Sequence, residues 1–122
     1  VAKAIVIPSE GPVEEIEIPD DGVSSLECLQ RLVGGHIEAI NVPSEFGGDD
    51  ATAYLNEDGK HNPKCKPNMR ATDFFVPGFG LFPGDYIAGT VVLVGFTPSG
   101  DHKDVNDKII RRARLIEREA GY

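Results

Sequence analysis

Thr90-Val91-Val92-Leu93-Val94 carries the clearest architectural signal in the chain. It is β-branched and apolar on both sides of the pleat, so it reads as a strand buried on both faces at the centre of a sheet. Lys3-Ala4-Ile5-Val6-Ile7 has the same character and stops at Pro8. Ser9-Glu10-Gly11-Pro12 then supplies a turn, and Glu15-Ile16-Glu17-Ile18 alternates strictly. That alternation predicts a half-buried strand with Ile16 and Ile18 inward, paired with residues 3–7 as an antiparallel hairpin.

Working outward, Asp20-Asp21-Gly22 breaks the strand, and Ser24 with Glu27 three residues on forms a capping box. Leu26, Leu29, Leu32 and Val33 follow at helical spacing, and Gly34-Gly35 ends the helix. Residues 36–42 and 51–55 read as strands, separated by a polar loop. Residues 56–70 form a long irregular loop with two prolines and no periodicity, and Ala71 to Val76 is expected to return as a strand. Pro77 to Gly84 is a turn region, and a second helix is expected from Asp104 to about Ala120, with Val105, Ile109, Ala113 and Ile116 on one face. The predicted order is β-β-α-β-β-β-β-α: an α+β fold with a mainly antiparallel sheet and two packed helices.

The chain has 122 residues, 40% hydrophobic and 26% charged, which suits a single globular domain over 1–122. No apolar run is long enough for a membrane span, and the first residues do not resemble a signal peptide. Two cysteines are too few for a disulfide framework, so a reducing, cytoplasmic setting is expected. The net charge of −8 argues against membrane surfaces and generic nucleic-acid binding. That charge is uneven. Residues 1–59 hold thirteen acidic and two basic residues, and residues 60–122 hold seven acidic and ten basic.

Lys60, Lys64, Lys66 and Arg70 fall in one stretch with no carboxylate between them. With Asn56, His61, Asn62 and Asn68 they combine cations, amides and an imidazole, a set suited to a nucleotide-like anion. The competing reading is a hydrophilic loop neutralised by the acidic half. Other chemistry is weaker. His61 and Cys65 lack zinc-site spacing, so no metal or cofactor is expected. Cys65 lies between lysines without a base tied to it, and no catalytic residue is assigned. Gly78-Phe79-Gly80 leads into a strand instead of a helix, so it is not a phosphate loop. Asp49-Asp50 and Glu57-Asp58 have turn character and lack calcium-loop spacing. Phe79, Leu81 and Phe82 are too apolar for a surface loop and predict an interface in a homo-oligomer. The carboxylates of Glu10 to Asp21 also admit DNA mimicry, if they share one exposed face.

Lys3 to Pro8 with Gly11-Pro12-Val13, Leu26 to Glu38, Asn56 to Lys60, Pro67 to Thr72, and Gly84-Asp85 with Gly89 to Val92 resemble, in order, the phage and bacterial family of domain of unknown function 3846. The resemblance carries no catalytic residue onto this chain. It implies a short accessory protein of phages and mobile elements. The expected function is therefore non-enzymatic: binding a host protein or self-assembly, with sequestration of a nucleotide-like anionic signal as the alternative.

Overall fold

The computed structural model describes residues 1–19, 21–75 and 85–119. The elements are β1 (Ala2–Ile7), β2 (Glu14–Ile18), α1 (Gly22–Val33), β3 (Ile37–Asn41), β4 (Ala51–Asn56), α2 (Met69–Phe74), β5 (Val91–Phe96), β6 (His102–Lys103) and α3 (Asp107–Glu119). The sheet runs β2-β1-β5-β4-β3, with β6 beside β5, and every pairing is antiparallel. As expected, β5 is central, flanked by β1 and β4.

Register explains why β5 has no polar face. Val91 and Leu93 join Ile5, Ile7, Ala53 and Leu55 in a core with Phe74, Phe75, Ile109, Ala113 and Ile116 of α2 and α3. Val92 and Val94 face the other way, into a core with Ala4, Val6, Ile18, Leu29 and Val33. One sheet thus separates two apolar layers, α1 on one side and α2 with α3 on the other. The edge strands differ: β2 exposes Glu14, Glu15 and Glu17, and β3 exposes Glu38, Ala39 and Asn41.

Several expectations need correction. Ala71 to Phe75 is not a strand: α2 begins at Met69, capped by the Asn68 side chain, which accepts from the Ala71 amide. Ala71, Phe74 and Phe75 are buried at helical spacing, and the described residues hold three α-helices instead of two. In α1 the cap is Asp21, which accepts from the Ser24 amide at 2.9 Å, so the helix starts before Ser24. This hydrogen bond lowers the Asp21 pKa below its usual 3.8. The buried face of α1 centres on Ser25, Leu29 and Val33, and Leu26 is 44% exposed. Asn106 caps α3 by accepting from the Ile109 amide, whereas Asp104 accepts from the Lys3 amide and ties the segment before α3 to β1. Phe79, Leu81 and Phe82, the expected interface, lie outside the described residues, as does Ala120.

Candidate functional site

The stretch from 56 to 70 is pinned at both ends by buried side chains. Asn56 donates to the Val33 carbonyl and accepts from the Asp58 amide, which fixes the end of β4 against the end of α1. Asn68 is fully buried, and its side-chain nitrogen donates to the carbonyls of Ile7 and Gly89, both at 2.8 Å. Arg70 is 5% exposed and donates to the Pro8 carbonyl. Each of these three expected ligand-binding residues thus donates to at least one backbone carbonyl, which would otherwise be costly to leave unpaired.

The remaining cations diverge. Lys66 pairs with Glu10 at 2.9 Å on the open surface, an arrangement worth little to stability. Lys60 pairs with Asp85 and lies 5.1 Å from the Tyr86 ring centroid. That ammonium and the Tyr86 amide hold the Asp85 carboxyl below its ordinary pKa of 3.8. Lys64 is exposed and carries no ion pair among the described residues.

Lys60 and Lys64 in fact belong to two clefts, one on either side of the loop. The first is a groove of about 240 Å³ against β3 and β4, with a floor of Ile40, Leu55, Ile87 and Ala88. Its polar lining is Glu38, Asn56, Glu57, Lys60, His61, Asp85 and Tyr86. Gly59 makes this groove possible: a Cβ there would stand 2.6 Å from the Ala88 carbonyl oxygen. The second cleft, about 180 Å³, lies between the last turn of α1 and the Asn62–Cys65 turn. Ser9, Arg31, Asn62, Lys64, Cys65 and Thr90 supply its polar lining, and no carboxylate among the described residues lines it. Here Gly89, at φ +86°, gives Cys65 room, because a Cβ would stand 3.1 Å from its sulfur.

A third constellation was not visible in the sequence. Ser25 Oγ lies 2.6 Å from His102 Nδ1, and Tyr54 Oη lies 2.9 Å from His102 Nε2. The spacing is that of a nucleophile and base, yet Ser25 is 1% exposed and neither cleft is lined by the three residues. They work as a clasp that joins α1, β4 and β6. Burial lowers the His102 pKa below its usual 6.5, with Asp101 opposing, and raises that of Tyr54 above 10.0.

Among the described residues no group of His, Cys, Asp and Glu is arranged to hold a metal ion, and no helix is long and apolar enough to cross a membrane. The fold and its clefts define a small α+β domain with an antiparallel sheet, one acidic groove and one basic cleft. The chain belongs to the family described as domain of unknown function (DUF3846), which matches residues 2–118. Comparison with curated proteins and with solved structures found no match.

Proposed function

We propose that the chain is a non-enzymatic accessory protein of phage or mobile-element type that works by binding a protein of its host, in the host cytoplasm. The groove beside β3 is the binding site in this reading. One observation carries it: the groove runs along an edge strand whose outer side has no partner among the described residues. Glu38 and Ile40, two apart on β3, both line the groove, so a segment added to that edge would place alternate side chains over it.

The lining specifies the occupant. Asp85 is neutralised by Lys60, but Glu38 and Glu57 have no ion pair among the described residues. Two uncompensated carboxylates above an apolar floor and beside Tyr86 suit an extended segment with a lysine or arginine whose stem packs on Leu55 and Ile87. A photo-crosslinking residue at Glu38, with the same residue at Glu14 on the opposite edge as control, tests this in host cells. The expected product joins Glu38 to one host protein and is lost in Glu57→Lys. Equal crosslinking from both edges would overturn the reading. A product of twice the chain's mass would replace the host protein with a second copy.

A further inference from the structure

We infer that the second cleft is a phosphate-binding site, separate from the groove, in which Arg31 and Lys64 hold the anion. This does not rest on the protein-binding reading. In a protein of net charge −8, a cleft lined by two cations and, among the described residues, no carboxylate is a local reversal of sign. Lys60, Lys66, Lys103 and Arg114 each have a carboxylate partner, whereas Arg31 and Lys64 have none among the described residues. Both are exposed, so a ligand that reaches the cleft reaches them.

The cleft is also built in advance. The Asn62 side chain accepts from the Lys64 amide at 2.9 Å, and the Asn62 carbonyl accepts from the Cys65 amide at 2.9 Å, which fixes the turn that presents Lys64. The opposite wall is held where the Gly89 amide donates to the Lys66 carbonyl and the buried Asn68 donates to the Gly89 carbonyl. The backbone that carries Lys64 then needs little further ordering when a ligand binds. The end of α1 would ordinarily repel an anion, because its last carbonyls point outward. Two of them are occupied: the Gln30 carbonyl accepts from Gly34 and Gly35, and the Val33 carbonyl accepts from Asn56.

Recognition then follows from donor chemistry. The Arg31 guanidinium offers paired N–H groups, the Lys64 ammonium a compact charge, and Asn62 and Thr90 add an amide and a hydroxyl. All suit a tetrahedral dianion. At about 180 Å³ the cleft is smaller than the roughly 300 Å³ and more of a drug-sized pocket, and it has room for a phosphoryl group. The phosphoryl group is shared by free phosphate and by phosphomonoesters, and the test separates them.

Calorimetry at low salt would use inorganic phosphate, adenosine monophosphate and adenosine. We expect phosphate to bind and adenosine not to. Similar affinities for phosphate and the nucleotide would identify the phosphoryl group as the whole ligand, and a nucleotide at least about tenfold tighter would place part of the nucleoside in contact as well. Arg31→Ala and Lys64→Ala should each weaken binding by about tenfold and leave the fold intact, whereas Lys108→Ala, an exposed charge on α3, should not. Binding should weaken with salt. Bound phosphate should slow alkylation of Cys65, which lines the cleft, and leave Cys28 on α1 unaffected. Absence of binding at about 10 mM phosphate would overturn the inference. So would binding unchanged in the two variants, or binding without protection of Cys65.

Discussion

Lys60 and Lys64 are four positions apart, yet the two lysines stand in environments of opposite sign. Lys60 enters a groove with three carboxylates and is neutralised by one of them. Lys64 enters a cleft with no carboxylate and stands beside Arg31. The difference comes from the strands and helices that flank the loop. The groove is walled by β3 and the turn after β4, both from the acidic half of the chain, and by Asp85. The cleft is walled by the last turn of α1, which supplies one of the two basic residues in that acidic half. A cation in a loop thus takes its meaning from the element it packs against.

The largest expected effect breaks both clefts together. Asn68→Ala would orphan the Ile7 and Gly89 carbonyls and the Ala71 amide. At about 1–3 kcal/mol for each buried group, that is a loss of roughly 3–9 kcal/mol, comparable with the whole stability of a small domain. Chemical denaturation should show a domain that is largely unfolded or close to it. Leu29→Ala is next. Leu29 is 1% exposed on the face of α1 that covers β5, and its truncation should cost about 2–5 kcal/mol through the cavity left behind. Because α1 walls only the cleft, hydrogen exchange in this variant should rise first around Arg31 to Gly34 and later along β3.

The clasp of His102 gives an intermediate effect with a definite sign. The folded-state pKa lies below the unfolded value of about 6.5, so the unfolded chain takes up the proton first as pH falls. The stability tied to neutral His102 is therefore fully present above about pH 6.5 and declines below it. Thermal unfolding should show this decline in the wild type and lose it in His102→Gln, which keeps a side chain able to hydrogen-bond. The smallest effect sharpens the contrast between the lysines. In Lys60→Ala the Asp85 carboxyl should titrate closer to 3.8, while Lys64→Ala should leave it depressed. Carboxyl titration by NMR separates these outcomes.

Much of the fold was legible because its elements carry local signals. The two-faced runs at residues 3–7 and 90–94, the alternation of Glu15 to Ile18, and Gly34 at φ +79° after α1 all express constraints that act over a few residues. The helix α2 was misread as a strand: its six residues are too few for a clear helical period, and the spacing of Ala71, Phe74 and Phe75 after the Asn68 cap was the signal that could have shown it. The candidate site was less legible. Lys60, His61 and Lys64 do line clefts, yet Asn68 and Arg70 are anchors, and Arg31, Glu38, Asp85 and Tyr86 come from elsewhere in the chain. Nothing in their spacing links Arg31 to Lys64 or Glu38 to Asp85.

The kind of sheet, its central strand, the helix that ends at Gly34-Gly35, the helix that follows β5 and the uneven distribution of charge could all be read from the residues alone. Period-two and period-3.6 patterns, caps and turns are local, and they specify elements wherever the chain later places them. Only the tertiary structure decided which cations are neutralised, which are buried on carbonyls and which stand unpaired in a cleft. Those outcomes depend on contacts between residues tens of positions apart, such as Lys66 with Glu10 or Arg70 with Pro8. Coulomb attraction and hydrogen bonding act over a few ångströms of space regardless of distance along the chain, so the role of each charge is set only once the sheet has brought its neighbours together.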